Sequence, residues 1–354
     1  MIQFCKKCLY PSTHPLGIIF NANGVCSGCE IHEEKFTLDW QFRLNKLKKL
    51  TNKYRSKKNN YDCIVPVTGG TDSYFIVHVV KNILKLNPLL VHYNKYYNTN
   101  LSIENLSNLR IKFGCDIIIQ NLNMNSIKKL TKYTLYKKGN IYWHCHAGNT
   151  SFAVQTSIKY KIPLIIWGSH QGIEQVGMFS HKDEVEMTNR YWIDHDLFNF
   201  SPEKIINDID SEITEEDINS LFYPNFKEIM DCGTRGLYLG NYIPWDSKIQ
   251  NELMIRKYNY KTQKNIRSFD NYQYFDCYNY LNIHDLLKFF KHGYSKVTDQ
   301  VCREIRFKRI SREQGISIIR HYEKKKISHI DLFMDWIGIK DFTSFMNKNV
   351  GIGT

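Results

Sequence analysis

An open α/β sheet, with a small cysteine module in front of it and a helical region behind, is the fold this sequence predicts. Three observations carry that expectation. Two Cys-x-x-Cys pairs fall within residues 1–30. From Asp62 onward, short apolar runs alternate with helical patterns, the signature of a parallel sheet with helices on both faces. After about residue 200 the pattern becomes helical and aromatic-rich. At 354 residues, 42% hydrophobic and 14% aromatic, the chain has ample length and composition for a buried core, which excludes a disulfide-stapled miniature and a disordered tail. The 48 Lys and Arg against 35 Asp and Glu give a net charge of +13. Such a field attracts anions, whether nucleotides, nucleic acid, acidic sugars or an acidic partner, without choosing among them.

The cysteine module, 1–30, reads Cys5-x2-Cys8, 17 residues, then Cys26-x2-Cys29. Four thiolates at this spacing satisfy a tetrahedral Zn²⁺ with no open position, so a structural zinc ribbon is expected. An iron–sulfur cluster also takes four thiolates and remains an alternative, as do four buried thiols. Cys63, Cys115, Cys145, Cys232, Cys277 and Cys302 are scattered, which favours metal over disulfides. Residues 31–60 follow as a connecting helix, with Phe36, Trp40, Leu44, Leu47 and Leu50 recurring every three to four positions.

The α/β domain is expected over 61–200, with strands at Cys63–Val67, Leu89–Tyr93, Ile117–Leu122 and Pro163–Trp167. Residues 201–354 form the helical C-terminal region, in which Thr214-Glu-Glu-Asp217 and Ser311-Arg-Glu-Gln314 start helices as capping boxes. No apolar run reaches the roughly 20 residues of a membrane helix. The opening Met1-Ile-Gln-Phe-Cys lacks a basic region followed by an apolar one, so a cytoplasmic protein is expected.

The chemistry concentrates at Thr68-Gly69-Gly70-Thr71-Asp72-Ser73, between the first strand and the first helix of the sheet. The glycines let backbone approach a ligand, the hydroxyls offer hydrogen bonds, and the helix N-terminus presents unpaired N–H groups, which together make an anion cradle. The spacing is neither a Walker loop nor a Rossmann fingerprint. The bland alternative is a strand-to-helix turn that uses glycine for geometry alone. By position, His92-Tyr93-Asn94 after the second strand and Gly168-Ser169 after the fourth should line the crevice at the carboxyl ends of the strands.

This [ST]-G-G-x-D-S loop resembles the pyrophosphate loop (PP-loop) of the N-type ATP pyrophosphatases, which adenylylate a substrate oxygen and release pyrophosphate. The resemblance implies a sheet of the adenine nucleotide alpha hydrolase (HUP-like) type. It also implies that Gly69, Gly70, Thr71, Asp72 and Ser73 hold the phosphates of ATP, with Thr68 in the place of the commoner serine and Asp72 serving Mg²⁺. By position Asn94 and Gly168 are cofactor-binding candidates, and Asp72 and Ser73 catalytic ones; His146, in His144-Cys145-His146, is a further catalytic candidate as a substrate or phosphate contact, with structural packing as its alternative.

Nearly the full length is similar to the bacterial N-acetyl sugar amidotransferases of O-antigen and flagellar-glycan (pseudaminic acid type) biosynthesis. The similarity runs through Cys145-His-Ala-Gly148, Trp167-Gly168, Gly177-Met-Phe-Ser180, Val185-Glu-Met-Thr188, Tyr238–Asp246, His292–Asp299, Glu304-Ile-Arg306 and Arg312-Glu-Gln-Gly315. It implies conversion of an N-acetyl group to an acetamidino group through an O-adenylyl intermediate, with AMP and pyrophosphate released. Trp245, Asp246, Lys296, Thr298 and Asp299 become substrate-binding candidates; the bland alternative for them is a packed Trp and capping or salt-bridged Asp residues. The chain begins Met1-Ile2 and carries no Cys/His/Glu glutaminase pattern. Ammonia is therefore expected from a partner glutaminase, with a channel-forming cyclase-like subunit as the family implies. A rival reading is a tRNA-modifying, thiolase-like ATP pyrophosphatase, which would account for the charge through phosphate contacts and would require Cys145 as a persulfide carrier. A third is a zinc-ribbon interaction protein with a degenerate loop. Nucleic-acid binding is not expected under the favoured reading.

Overall fold

The computed structural model describes residues 2–58, 60–272, 278–327, 329–342 and 344–345, and Cys277 lies outside them. Near the N-terminus are helices α1 (Ser27–Glu34) and α2 (Trp40–Asn52), so the connecting segment expected as one helix is two, with Lys35–Asp39 between them. Five parallel strands follow: β1 (Cys63–Pro66), β2 (Pro88–Tyr93), β3 (Ile117–Gln120), β4 (Leu164–Trp167) and β5 (Arg235–Tyr238), in the order β3-β2-β1-β4-β5. Ile64 stands opposite both Leu89 of β2 and Ile165 of β4, which puts β1 at the centre of the sheet.

The pleat sorts side chains onto two faces with period two. Cys63 and Val65 of β1 face one layer, with Leu164 and Ile166 of β4 and with Tyr74, Val77 and Leu109. These come from α3 (Thr71–His78) and α4 (Asn100–Phe113). Ile64, Leu89, Val91 and Ile165 face the other layer, against Ala153 and Val154. After α5 (Met124–Lys138), α6 (Trp143–Tyr160) supplies that second layer. Each fully buried Ile, Leu or Val contributes about 1.5–3 kcal/mol relative to exposure, so strands buried on both faces read as apolar runs.

The sheet continues past the 61–200 span expected for it, because β5 lies in the region expected to be helical. Its sequence, Arg-Gly-Leu-Tyr, lacks a β-branched run. A Cβ at Gly236 would stand 2.6 Å from Met187 Cβ, so the strand needs glycine for the Met187 segment to lie against it. Arg235 pairs with Glu186 through two hydrogen bonds of 2.7 and 2.6 Å. Both expected capping boxes form, at Thr214 and at Ser311.

The C-terminal helices close over the front of the molecule. Val297, Val301, Cys302 and Ile305 of the Lys296–Arg306 helix pack with Cys5, Cys8, Leu9 and Tyr10 of the cysteine module. The Tyr278–His292 and Ile330–Ile337 helices pack on Tyr97, Leu135 and Ile141 through Ile283, Leu287, Phe333 and Met334. Among the described residues, no helix is long and apolar enough to cross a membrane.

Candidate functional site

The order of strands reverses between β1 and β4, and in an open α/β sheet that is where a crevice opens beyond the carboxyl ends. Here the crevice is a cavity of about 300 Å³ whose wall includes Thr68, Asp72, Ser73, Tyr93, Gly168 and Trp245. The Thr68–Ser73 loop is braced from within. The Thr68 N–H donates to Ser73 Oγ at 3.0 Å, and the Gly70 N–H donates to Thr68 Oγ1 at 3.3 Å. Gly69 adopts φ +82°, and a Cβ there would stand 3.0 Å from the Ser102 carbonyl oxygen; the left-handed conformation and the close approach both call for glycine. Gly70 caps α3 and Thr71 begins it; the Ser73 N–H donates to the Gly70 carbonyl at 3.0 Å, which leaves the Thr71 and Asp72 N–H groups at the open end of the helix beside the crevice. Gly168 is required for contact as well, because a Cβ would lie 2.9 Å from the Trp245 indole and 3.0 Å from Ile76.

A narrower cavity joins this crevice to the front of the molecule. It is lined by Asp72 and Trp245, by Tyr10 and His32 from the N-terminal segment, by Glu174, and by Asp299, Arg303 and Arg306 from the Lys296–Arg306 helix. Asp72 Oδ1 accepts from Gln250 Nε2 at 3.1 Å. Burial raises its carboxyl above the ordinary range, with Arg303 and Gln250 acting in the opposite direction. Arg306 is committed: it donates to the carbonyls of Glu174 and Gln175, both at 2.8 Å, and reaches Cys26 Sγ at 3.5 Å. Arg303 is different. Its Nη1 is buried with no hydrogen-bond partner, although Asp72, Tyr10, Tyr272 and Asp299 sustain its charge against the cost of burial. A guanidinium whose buried Nη1 has no protein hydrogen bond, beside the Thr68–Ser73 loop, is a ready partner for phosphate oxygens. No motif in the sequence pointed to Arg303.

One wall of this cavity is held by an ion pair. Lys35 Nζ donates to Glu174 Oε2 at 2.6 Å and to the Trp245 carbonyl at 2.9 Å. Burial alone would raise the Glu174 carboxyl, but Lys35 and His181 outweigh it and hold the pKa at about 2, against 4.5 ordinarily. A carboxyl whose pKa is lowered by folding contributes stability that is complete above its unfolded pKa and lost as pH falls through its folded one. Acid titration should therefore withdraw this contribution between about pH 4.5 and 2, and Lys35→Met should flatten that limb in denaturant midpoints measured against pH.

The four cysteines converge. Cys5, Cys8, Cys26 and Cys29 are buried, with all four Sγ atoms within 4.8 Å of one another. The Cys8–Cys26 and Cys5–Cys29 separations are 3.6 and 4.0 Å. Four ligands about 2.3 Å from one tetrahedral ion stand about 3.8 Å apart, so the set fits a single metal ion.

The other expected residues divide. Asn94 does not line the crevice; its Nδ2 donates to Asn121 Oδ1 at 2.7 Å and its Oδ1 accepts from the Tyr96 N–H at 3.0 Å, which organises the turn after β2. Trp245 lies in the crevice against Phe75, ring centroids 5.7 Å apart, so it borders the loop. Asp246 is occupied as the N-cap of the Ser247–Tyr258 helix and in an ion pair with Arg309. Thr298 is buried in the first turn of the Lys296–Arg306 helix and borders none of these cavities. Asp299 accepts from Tyr10 Oη at 3.0 Å, pairs with Lys288, and separates the narrow cavity from a third one. That third cavity, about 240 Å³, includes His146, Lys288 and Lys296 in its wall and no residue of the Thr68–Ser73 loop. His146 and Lys296 are thus brought together, away from the loop. Cys145 is buried among Tyr97, Ile141 and Leu287, outside all three cavities.

Residues 266–350 match the family model described as LPS biosynthesis protein WbpG-like, C-terminal domain. An uncharacterized protein of Methanocaldococcus jannaschii is 25% identical over 117 residues, a match that covers 33% of this chain and spans 42% of that relative's length. Among solved structures, the NH3-dependent NAD synthetase of Campylobacter jejuni aligns at 16% identity and TM-score 0.30, covering 40% of this chain and 62% of its own. The NMN synthetase of Francisella tularensis aligns at 11% and 0.31, covering 64% and 99%. The U34-tRNA thiolase NcsA of Methanococcus maripaludis, solved with its 4Fe-4S cluster, aligns at 13% and 0.33, covering 92% and 88%. Residues 266–350 are thus similar to the C-terminal domain of the WbpG-like LPS biosynthesis proteins, and they follow a parallel sheet whose central strand leads through the Thr68–Ser73 loop into α3.

Proposed function

We propose that this protein is an ATP-dependent amidotransferase that converts the N-acetyl group of a surface-polysaccharide or flagellar-glycan sugar to an acetamidino group. The observation that carries the reading is the meeting of two parts: the PP-loop at the carboxyl end of β1, and the uncommitted Arg303 brought to it by the WbpG-like C-terminal region.

An amide oxygen is a poor leaving group, so it must be activated. In the proposed reaction the acetamido oxygen attacks the α-phosphorus of ATP and pyrophosphate departs with the electrons of the broken P–O bond. Ammonia then adds to the imidate carbon and AMP leaves. The first-turn N–H groups of α3 bind and orient the phosphate chain, and Arg303 stabilises the charge that gathers on departing pyrophosphate. Asp72 would hold Mg²⁺, which supplies further neutralisation of phosphate charge. Zn²⁺ is the proposed occupant of the four-cysteine set, because a single ion suits thiolates this close together. Its role is structural, yet the N-terminal segment reaches the site through Tyr10 and His32. Ammonia is proposed to come from a separate glutaminase partner, with a channel-forming cyclase-like subunit. The thiolase-like alternative loses support from Cys145, which is buried away from the loop.

The test is mass spectrometry of free and nucleotide-linked N-acetyl sugars incubated with the protein, MgATP and ammonium. The expected product is lighter by about one mass unit, from O replaced by NH, and forms with AMP and pyrophosphate. ATP consumption without any such sugar product would overturn the amidotransferase reading, and glutamine consumption by the purified chain alone would overturn the partner.

A further inference from the structure

Beside the PP-loop crevice lies a smaller pocket of about 120 Å³ at the carboxyl ends of β4 and β5. The two cavities share Trp167, Ser169 and Gln171. Around the rest of the smaller pocket stand Tyr191, Trp192 and Tyr238, with Asp196 among them. Aromatic faces around one carboxyl suit a small ligand with apolar and polar edges.

Three of its polar groups lack hydrogen-bond partners, the Tyr191 hydroxyl being one. The indole Nε1 of Trp167 is buried without a hydrogen bond. The Asp196 carboxyl makes no hydrogen bond or ion pair among the described residues, and burial pushes its pKa up to about 7. Asp196 also ends a π-helical turn, Trp192–Asp196, a local irregularity found often at functional sites. A protein leaves a buried donor such as the Trp167 indole N–H unpaired at a cost in stability, and the Asp196 carboxyl beside it is half-buried. A donor and an acceptor in the wall of one pocket are the complement of a secondary amide, which presents one carbonyl and one N–H.

We propose that this pocket is the acetamido subsite, in which Trp167 donates to the acetamido carbonyl and Asp196 accepts from the amide N–H. The proposal rests on the amidotransferase reading given above. One lone pair of the carbonyl oxygen receives the indole N–H while the other attacks the α-phosphorus, across the boundary formed by Ser169 and Gln171. As the new O–P bond forms, Asp196 takes the amide proton, which leaves a neutral O-adenylyl imidate, and that proton passes to water. Addition of ammonia to the imidate carbon and loss of AMP with the C–O electron pair then give the amidinium directly, with three hydrogens on its two nitrogens. Asp196 is thus assigned as the proton acceptor.

Saturation-transfer NMR with N-methylacetamide as probe tests this, with methyl acetate, which lacks the N–H, as control. The expected result is methyl saturation of N-methylacetamide by the wild type, at least fivefold weaker in Asp196→Ala and in Trp167→Phe, and none for methyl acetate. Asp196→Asn, close in shape, guards against a folding defect, and MgATP binding measured by calorimetry should persist in both Asp196 variants. Equal saturation in wild type and variants, no saturation in the wild type, or displacement of the probe by adenosine would overturn the subsite. Absence of MgATP binding by the wild type, with Asp196-dependent saturation intact, would instead overturn the ATP reading and leave the subsite standing.

Discussion

Arg303→Met is expected to lower pyrophosphate release from MgATP by about 10²–10³-fold, the loss typical when one preorganised charge-stabilising donor is removed. Three features of the site lead to that magnitude. Arg303 shares a cavity with Asp72 of the Thr68–Ser73 loop. Its Nη1 has no protein hydrogen bond to lose, so that donor is available to a ligand. The neighbouring Arg306, by contrast, is spent on the carbonyls of Glu174 and Gln175 and cannot substitute. Methionine retains much of the side-chain bulk, so the Lys296–Arg306 helix should still pack on the cysteine module through Val301 and Ile305. The thermal midpoint should move little, and Arg303→Lys should restore part of the rate as a point charge. Unchanged pyrophosphate release in Arg303→Met would remove the C-terminal helix from the chemistry.

Cys26→Ala should abolish metal binding and open the N-terminal module. The four thiolates supply the whole donor set, and for small metal-held modules the free energy of binding, about 10–16 kcal/mol for structural zinc, is folding free energy. Three thiolates leave an open position and a weakened site. The loss should spread, because Arg306 touches Cys26 Sγ and Leu9 donates to Cys302 Sγ at 3.3 Å. The prediction is a fall in bound zinc from one per chain to below about 0.1, rapid proteolysis within residues 1–30, and loss of pyrophosphate release through Tyr10 and His32. Cys232→Ala is the control: its thiol contacts the Ser157 carbonyl at 3.5 Å, far in the fold from the cluster, so zinc should stay. A Cys26→Ala protein that retained a full equivalent of zinc would overturn the assignment.

What could be read from residues alone was whatever local chemistry settles. β1 through β4 were legible because strands buried on both faces must be apolar along their length, and the Thr68–Ser73 loop because φ +82° at Gly69 and a helix N-terminus demand a narrow set of residues. The cysteine set was legible because two Cys-x-x-Cys turns already bring thiols close in the chain. β5 was not, since Arg235 and Gly236 are explained by Glu186 and Met187, some fifty residues earlier.

Candidate roles divided along the same line. Asp246 and Asp299 sit in similar-looking aromatic and acidic segments, and only packing separates them: one is consumed by a helix cap and Arg309, the other faces two cavities. Sequence by itself determined the first four strands of the sheet, the Thr68–Ser73 loop and the four-thiolate set, because backbone geometry, pleat periodicity and ligand spacing are local. Tertiary structure alone decided that Arg303 meets Asp72, that His146 stands apart from the loop, and that Trp167 and Asp196 share a pocket. Those juxtapositions join residues far apart in the chain, and burial leaves their charges and hydrogen bonds to be matched by whatever ligand enters.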